Sequence, residues 1–463
     1  MAATRRFSAI HPSLVVGAVL VLALAAPTSG PLARAADPPR SAQAPASSNA
    51  VIDWNDHAAA AARAACLAPF DNPLHESRMY AIMHIAIHDA LNAISRRSQP
   101  YAYRGHAHGA SPEAAVAAAA RTSLLGALSD VTGPFVGCHD AAVAVVEADY
   151  AEALKGIPDG AAKLKGIAVG NKSAHAILAK RAGDGSDTQL VVTDFPQGDE
   201  PGEYRFISDG PQFAFAPGWG DVDPFVRKTN RIPIEPPYPL KSRAYTRDFD
   251  EVKRLGGNGT TTPSARTPEE TEIALFWKEN SPHQWNRVAR DLAADHSLDL
   301  WESARMFGLL NMAMADGYVA TFKVKYELLF WRPTTAIRLA ATDGNDQTSA
   351  DPNWVSLREV PPIPDHDSGH SVEGGAAAAA LRGYFGTDRL SFSLCSYTVE
   401  KTKTCTAASP LTRHFTRLSQ AAAENAWSRV LIGYHFRHAT TVGVEHGIAI
   451  GNRVVNHAMR PRR

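Results

Sequence analysis

Three short motifs near the end of the chain combine cations, histidines and a glycine in a fixed order. They are Lys325-x6-Arg332-Pro333, Ser368-Gly369-His370 and Ser428-Arg429-x5-His435. Arginine can bind a tetrahedral oxyanion through two parallel N–H donors, and lysine contributes a compact positive charge. The motifs therefore predict that three cations and two imidazoles surround one bound oxyanion, such as phosphate or vanadate. One histidine would bond the central atom and the other would move a proton.

The Ser-Gly-His motif predicts the first turn of a helix. Asp367 or Ser368 is the expected N-cap, and the N–H groups of Ser368 and Gly369 are expected to face the anion. Glycine lets the backbone approach the anion closely. His370 would lie between the helix end, which lowers its pKa, and the anion, which raises it. This position suits an acid/base group.

The two flanking motifs make different geometric predictions. Lys325 and Arg332 are seven positions apart, nearly two helical turns, which predicts one shared face of a helix that ends at the following proline. Arg429 and His435 are six positions apart and would point about 120° away from each other on one helix. Gly433 is therefore predicted to end that helix and let His435 turn back. Each cation taken alone is equally compatible with an exposed surface residue.

Helical patterns cover most of the chain. Apolar spacing predicts helices over residues 55–94, 112–128, 139–181, 267–336, 372–384, 413–432 and 440–458. Ser111 is the expected N-cap of the second stretch, and Pro134 and Pro158 are expected breaks. Residues 183–266 predict a long irregular excursion whose aromatic side chains pack onto the core, in preference to forming a substrate mouth. The predicted fold class is an all-α helical bundle with its site between facing helices.

The first residues have the pattern of an export signal. Two arginines precede an apolar run at 14–26, and Ala33-Arg34-Ala35 offers a cleavage site. We expect residues 1–35 to be a signal peptide, residues 36–50 a flexible linker and residues 51–463 a single helical domain. No later stretch approaches the roughly 18 unbroken apolar residues of a membrane helix. The expected location is secreted or periplasmic, without stable membrane insertion.

Charge and cysteine content restrict the function further. The chain has 47 basic and 47 acidic residues, and residues 1–35 contain three arginines and no acid, so the mature net charge is near −3. This balance predicts no general attraction to nucleic acid. Four cysteines in an exported chain predict two disulfides, for which three connectivities exist. A local bridge between Cys395 and Cys405 is the natural choice, which would leave Cys66 to pair with Cys138.

The order of the three motifs resembles the signature shared by vanadium-dependent haloperoxidases and type 2 phosphatidic-acid phosphatases. Residues 330–338 and 433–437 are similar, more narrowly, to segments of the bacterial vanadium chloroperoxidase-like branch. The resemblance implies vanadate as the cofactor, with phosphate as a competing oxyanion. Helical relatives often associate, so a homodimer is compatible with it. The residues implied to hold the equatorial oxygens are Lys325, Arg332, Ser368, Gly369 and Arg429.

The same resemblance assigns roles to individual side chains. It implies that His435 is the vanadium ligand, or the nucleophile of a phosphatase, and that His370 is the acid/base group. Lys325 would polarise bound peroxide. Two positions depart from the family pattern. Asp367 replaces the usual proline and brings a negative charge near the anion, and Ala439 replaces an aspartate found in many haloperoxidases.

The favoured function is a vanadate-dependent haloperoxidase that uses hydrogen peroxide to oxidise halide. The alternative is a soluble acid phosphatase that acts on a small phosphoester through a phosphohistidine intermediate. A less favoured class is a metal-dependent hydrolase built on His84, His88 and Asp89, with His366-Asp367 as a second ligand pair. Buried structural histidines explain the first group better. A non-catalytic anion-binding protein is the last candidate.

Overall fold

The computed structural model describes residues 49–131 and 137–462, which are mostly helical. The helices are Ala50–Ala64 (α1), Pro73–Ile94 (α2), Pro112–Ser129 (α3), His139–Lys155 (α4), Ala161–Arg181 (α5), Arg243–Gly256 (α6), Pro268–Phe276 (α7), Ser281–Asp295 (α8), Leu300–Leu328 (α9), Pro333–Arg338 (α10), Gly369–Phe385 (α11), Leu418–Leu431 (α12) and Arg437–His457 (α13). Strands Val191–Val192 (β1) and Ala214–Phe215 (β2) form one antiparallel pair, and Phe392–Cys395 (β3) and Thr412–Phe415 (β4) form another. The predicted all-α class is confirmed.

Side-chain caps fix the start of several helices. Ser111 caps α3, as predicted, because its hydroxyl accepts the Ala114 N–H at 3.2 Å and Pro112 occupies the first helical position. Thr267 and Asp299 begin α7 and α9 with complete capping boxes. These caps satisfy backbone N–H groups that have no partner inside the helix.

Helix α9 is the central element of the bundle. It has 29 residues, about 43 Å at the usual helical rise, and its side chains are buried along most of that length. It packs against α2 and against α11, and α11 packs in turn against α13. The helices that carry the three motifs therefore meet in the middle of the fold.

Three glycines on one face of α13 bring it against α11. Gly443, Gly447 and Gly451 recur every four residues and share that face. A Cβ added at Gly447 would lie 2.0 Å from the Val372 carbonyl oxygen, and one at Gly443 would lie 2.9 Å from that of Ser368. The backbones of the two helices are therefore in direct contact, which fixes the Ser-Gly-His turn relative to the start of α13.

The excursion at 183–266 contains more regular structure than the sequence predicted. Helix α6 lies within it and was missed, because the surrounding segment is rich in Gly, Pro and Asp. Tyr245 and Phe249 on its inner face are buried against Trp331 and Trp354. Trp219, with 1% of its surface exposed, packs on α9 rather than facing solvent. For Trp219, this confirms the prediction that the aromatic side chains of the excursion pack onto the core.

Several predicted boundaries were wrong. The stretch 55–94 divides into α1 and α2, and α1 begins at Ala50, one residue inside the predicted linker. Arg413 lies in β4 rather than in the helix that follows. Residues 1–48, with the predicted signal peptide and most of the linker, lie outside the described residues, as does Pro134.

Two disulfides join Cys66 to Cys138 and Cys395 to Cys405. This is the pairing preferred from the sequence. The first bridge spans 72 residues and connects the end of α1 to the start of α4. Within residues 49–131 and 137–462, every helix is too short or too polar to cross a bilayer.

We expect Gly447→Ala to lower the free energy of unfolding by about 1–3 kcal/mol, because the methyl group must displace the α11 backbone. Chemical denaturation measures the change. Alanine in a helix is normally more stabilising than glycine. A decrease in the free energy of unfolding would therefore indicate the predicted steric contact. Gly156→Ala is the matched control, because its Cβ would lie 3.9 Å from the nearest atom, the Ala153 oxygen. Equal effects of the two variants would contradict the proposed helix contact.

Candidate active site

The three motifs converge at the N-terminus of α11. Lys325 lies in the last turn of α9, and Arg332 lies in the extended segment before α10. The Ser-Gly-His motif begins α11, Arg429 lies in the last turn of α12, and His435 precedes α13. The side chains of the motif residues are buried, except that of His370, which is partly exposed. Gly369 has no side chain. The predicted site residues are thus brought together from five segments of the chain.

Lys325 is fully buried and faces backbone oxygens. Its ammonium donates to the carbonyls of Pro364 and Asp365, both at 2.9 Å, and to that of Asp367. Burial and the neighbouring Arg332 lower the pKa of Lys325 to about 7. The carbonyls hold the ammonium in place, and a bound anion would favour its charged form.

The predicted shared helix face for Lys325 and Arg332 was wrong. Leu329 adopts a left-handed conformation, with φ of 48°, and ends α9. Pro333 begins a new helix instead of closing the old one. Proline is favoured at a first helical position because it needs no N–H partner there. Arg332 therefore reaches the site from an extended segment.

The Arg332 guanidinium is only partly satisfied by the protein. Its Nε donates to the Ile363 carbonyl at 2.6 Å, and Nη1 donates to that of Tyr434 at 2.9 Å. Its Nη2 is buried and has no hydrogen-bond partner. An unsatisfied buried donor is costly, so this atom marks a position where a ligand acceptor would be stabilising.

Arg429 has the same feature. Its Nε donates to the Ser428 hydroxyl at 3.0 Å, and its guanidinium lies 5.6 Å from the centre of the Tyr434 ring. Its Nη2 is likewise buried without a partner. Burial, with a smaller contribution from Arg332, lowers the pKa of Arg429 to about 10, so the side chain stays cationic at neutral pH.

The start of α11 differs in one detail from the prediction. Ser368 is the N-cap, but its N–H donates to the Ala439 carbonyl at 3.0 Å and is not available to an anion. The N–H groups of Gly369 and His370, which follow, have no carbonyl one turn earlier in the helix. Ser368 can instead use its hydroxyl, which accepts a hydrogen bond from Ser371 at 2.9 Å.

Gly369 leaves space beside the helix start. A Cβ added there would meet only a Thr321 methyl carbon, at 3.9 Å. His370 follows and is partly exposed, with Nε2 3.1 Å from the Glu279 carbonyl oxygen. Burial and the charge of Arg429 hold the pKa of His370 well below its usual value. The imidazole is therefore neutral, and the Glu279 carbonyl, which can only accept, places the proton on Nε2 and the lone pair on Nδ1.

Gly433 turns the chain so that His435 faces the site, as predicted. Its φ is +85°, and a Cβ added there would lie 2.7 Å from the Gly256 oxygen, so only glycine fits this position. The N–H groups of Tyr434 and His435 both reach back to the Arg429 carbonyl, at 3.1 and 3.2 Å. The turn therefore couples His435 to Arg429 through the backbone.

Asp365 is a site residue that the sequence analysis missed. Its Oδ1 lies 2.8 Å from His435 Nδ1, and His435 Nε2 lies 3.0 Å from Arg332 Nη1. The neutral tautomer that fits both contacts carries its proton on Nδ1 and has its lone pair on Nε2. Burial raises the pKa of Asp365, and the charges of Arg332 and Lys325 oppose this shift. The only sequence signal was an acid in the Pro-rich segment just before the Ser-Gly-His motif.

The negative charge of Asp367 is directed away from the anion position. Its carboxylate accepts hydrogen bonds from Thr321 Oγ1 at 2.6 Å and from His446 Nδ1 at 2.7 Å. Burial alone would raise the pKa of Asp367, but the charge and hydrogen bond of His446, with Lys325, lower it to about 2. The departure from the family pattern thus adds a buried, hydrogen-bonded carboxylate that links the segment before α11 to α13.

The histidines proposed for a metal-dependent hydrolase have other partners. His84 Nε2 is 2.8 Å from the Asn55 amide, and His88 Nδ1 is 2.8 Å from Asp89 Oδ1. His366 Nε2 is 2.8 Å from the Glu235 carbonyl oxygen. In residues 49–131 and 137–462, no group of three or more acidic, histidine or cysteine side chains has the arrangement of a metal site.

A helical bundle that gathers these cations and histidines at one helix start has the architecture of the vanadium haloperoxidases. Residues 305–463, which include all three motifs, match the family model of the VCPO second helical-bundle domain. The resemblance inferred from the motifs is thereby confirmed.

Individual relatives agree with this assignment. The chain is 23% identical over 471 residues to the vanadium chloroperoxidase of Curvularia inaequalis, a match that covers 80% of this chain and 75% of the relative. The fold is similar to the first bacterial vanadium-dependent iodoperoxidase structure, with a TM-score of 0.71, 22% identity, and coverage of 91% and 99%. It is also similar to an apo-type bacterial vanadium-dependent chloroperoxidase, with a TM-score of 0.63, 18% identity, and coverage of 84% and 94%.

We expect Asp367→Asn to lower the free energy of unfolding at pH 7 by about 3–5 kcal/mol, because it leaves His446 without its buried partner. The folded-state pKa of Asp367 is depressed, so its contribution is present above about pH 4 and is lost as the pH falls toward 2. Denaturation curves between pH 7 and pH 2 would test this. The exposed Asp295→Asn serves as control, and a difference between Asp367→Asn and wild type that does not shrink in acid would contradict the assignment.

Proposed function

We propose that this protein is a vanadate-dependent haloperoxidase that uses hydrogen peroxide to oxidise halide. The observation that carries the proposal is the pair of buried, unpartnered Nη2 atoms on Arg332 and Arg429 beside the neutral His435. The vanadium enzymes named above support it through their shared fold. Vanadate, when bound, would supply Lewis-acid activation of the peroxide.

The donor set fits such an oxyanion. Three buried cations, a hydroxyl and the free N–H groups at the start of α11 offer charge and directional donors around one position. Arg332 and Arg429 would hold equatorial oxygens with their free Nη2 atoms, and Ser368 would donate its hydroxyl. Lys325, whose ammonium donates to three backbone carbonyls, would contribute its positive charge, and Gly369 would admit close approach of the backbone. Phosphate has similar shape and charge and would compete.

His435 has the electronic state that a vanadium ligand needs. Burial, followed by the charges of Arg332 and Lys325, holds the pKa of His435 well below its usual value, so the ring is neutral. Asp365 Oδ1, 2.8 Å from Nδ1, favours the tautomer whose lone pair lies on Nε2. Arg332 Nη1 lies 3.0 Å from that nitrogen, so ligation through Nε2 would replace this contact. The protein therefore sets the charge and tautomer of His435 before the oxyanion arrives.

His370 is the residue placed to move a proton. Its Nε2–H is held by the Glu279 carbonyl, and Asn425 donates to the His370 carbonyl at 3.1 Å. These contacts fix both the ring and its backbone. The free Nδ1 of the neutral ring would take the proton of incoming hydrogen peroxide and return it later to the departing oxygen.

The decisive experiment is a vanadate titration of phosphate-free protein, followed by parallel assays of bromination of a phenol dye and hydrolysis of an aryl phosphate. We expect binding of one vanadate per chain and bromination that depends on both vanadate and peroxide. Hydrolysis of the aryl phosphate that vanadate inhibits, without bromination, would replace this proposal with the acid phosphatase. Vanadate binding without either activity would indicate an anion-binding protein.

Substitutions of the two histidines should affect different quantities, vanadate affinity for His435 and bromination rate for His370. We expect His435→Ala to weaken vanadate binding by about 100-fold or more, because the ligand is removed. His370→Ala should keep binding within a few-fold and slow bromination by about 100-fold or more. Calorimetry and steady-state kinetics measure the two quantities, with the exposed His414→Ala as control. Loss of binding in His370→Ala alone would reverse the assigned roles.

Asp365→Asn tests the orienting role. We expect vanadate affinity to fall about 10- to 100-fold, the range usual for residues that orient a metal ligand, while the protein remains folded. Asp343→Asn, another buried aspartate, is the matched control. Unchanged affinity in Asp365→Asn would show that His435 is oriented without it.

We also propose that the protein is exported; a homodimer, which is compatible with the family resemblance, stays a prediction. Export is supported by the N-terminal pattern of residues 1–35 and by two disulfides, which persist in oxidising compartments. N-terminal sequencing of the native protein should find a start just after Ala35. Light scattering would test the dimer.

A further inference from the structure

A cation beside His370 takes no part in the oxyanion site. Lys278 lies in the short connection between α7 and α8, directly before Glu279, whose carbonyl accepts the His370 N–H at 3.1 Å. Among the described residues, no carboxylate oxygen lies within 4 Å of the Lys278 ammonium. Its side chain is partly exposed. Within residues 49–131 and 137–462, Lys278 is therefore a charged group next to the proposed proton carrier and has no ion-pair partner.

The Lys278 ammonium lies over an exposed aromatic ring. Its Nζ is 4.5 Å from the centre of the Phe70 ring, and Phe70 is 51% exposed. Most large apolar side chains of this protein are buried, so an exposed phenylalanine is unusual here. The ring presents one face to the cation and leaves apolar surface open to solvent.

The loop that carries Phe70 is held firmly against the connection that carries Lys278. The Asn280 N–H donates to the Pro69 carbonyl at 2.7 Å, and the Asn280 side chain donates to the Leu67 carbonyl at 2.9 Å. The exposed ring therefore does not belong to a loosely attached loop. Its position relative to Lys278 and His370 is built into the fold.

The electrostatic environment agrees with this placement. Burial, followed by the charges of Arg429 and Arg358, lowers the pKa of Lys278, and Asp71 and Glu359 oppose the shift. The positive charge of Arg429 acts on both Lys278 and His370. Lys278 thus belongs to the same field as the oxyanion site.

We propose that Lys278 and Phe70 form a binding site for an organic acceptor that carries an aromatic ring and a negative charge. The ring would pack on Phe70, and a carboxylate, sulfonate or phenolate group would pair with the ammonium. This inference deepens the proposed function and rests on it for the reaction that follows binding. A halide ion would be attracted by the charge but would gain nothing from the exposed ring, so the pair favours an organic anion.

The reaction at this site is balanced by the proposed activity. Halide, hydrogen peroxide and one proton give hypohalous acid and water. Hypohalous acid then transfers its halogen to a ring carbon of the acceptor, and the ring loses a proton. That proton and the hydroxide released from the halogen form water. Holding the acceptor near His370 would let this transfer occur before the hypohalous acid diffuses away.

The first test measures binding without turnover. Phosphate-saturated protein is titrated with 4-hydroxybenzenesulfonate, which is anionic, and with neutral phenol, by calorimetry or ligand-observed NMR. We expect Lys278→Gln to weaken binding of the sulfonate at least tenfold and to change binding of phenol less than twofold. Phe70→Ser should weaken both. Because phosphate occupies the oxyanion site, the result does not depend on peroxidase activity.

A matched control comes from a second lysine–aromatic pair. Lys180 lies 5.5 Å from the Tyr101 ring, remote in sequence from the motif residues. We expect Lys180→Gln to behave as wild type, and Lys278→Arg to restore most of the sulfonate affinity. Equal affinity of wild type and Lys278→Gln for the sulfonate would overturn the proposal, provided that both proteins melt at similar temperatures.

The second test uses vanadate-loaded enzyme. Lys278→Gln should raise the KM for the anionic acceptor at least tenfold, with the KM for bromide unchanged. A rise in the KM for bromide instead would assign Lys278 to halide and contradict the acceptor site. Failure of vanadate loading would count against the proposed function, and the binding measurements above would still decide the acceptor site.

Discussion

The structure depends on positive charge buried at the centre of a helical bundle. Lys325, Arg332 and Arg429 are 0–2% exposed and lie around one helix N-terminus, which adds its own positive field. Buried charges are stable only when they are paired or well hydrogen-bonded. Backbone carbonyls satisfy part of each cation, and two guanidinium nitrogens remain without a partner. A bound oxyanion would complete this arrangement, and burial, followed by the same positive field, lowers the pKa of both histidines and keeps them neutral.

The surrounding fold provides the oxygens that make such burial tolerable. The carbonyls of residues 363–367 receive the cations from α9 and from the segment before α10. This stretch leads directly into α11, so the cations and the helix start are held by one continuous segment. Glycine contacts between α11 and α13, and the hydrogen bond of Asp367 with His446, fix that segment from the other side. The packing of these helices therefore determines the positions of the site residues.

Sequence reasoning recovered the helical class, most helix positions and the set of motif residues. It succeeded where a signal is local, as with the cap at Ser111 and the helix end at Gly433. It failed where tertiary contacts decide. The route of Arg332 into the site follows from the left-handed turn at Leu329, and the loss of the Ser368 N–H follows from the Ala439 carbonyl. Neither contact has a sequence pattern of its own.

Asp365 illustrates the same limit from the functional side. Its neighbours in sequence form a Pro-rich segment, and its partner His435 lies 70 positions away, so no spacing rule connects them. From the sequence alone, an aspartate at that position is indistinguishable from an ordinary turn residue. Helix α6, by contrast, has a local signal, because Tyr245, Phe249 and Val252 follow helical spacing; it was missed because the surrounding segment is rich in Gly, Pro and Asp.

The residues that touch the oxyanion cannot by themselves choose between peroxide chemistry and phosphoester hydrolysis. Vanadate and phosphate present nearly the same shape and charge to two guanidiniums, an ammonium and a helix start. Discrimination must come from groups one layer further out. Asp365 favours the His435 tautomer with its lone pair on Nε2, and the Glu279 carbonyl favours the His370 tautomer with its lone pair on Nδ1. Lys278, near His370, then determines what approaches from solvent. Closely similar anion-binding pockets can thus serve different reactions when the residues around the pocket differ.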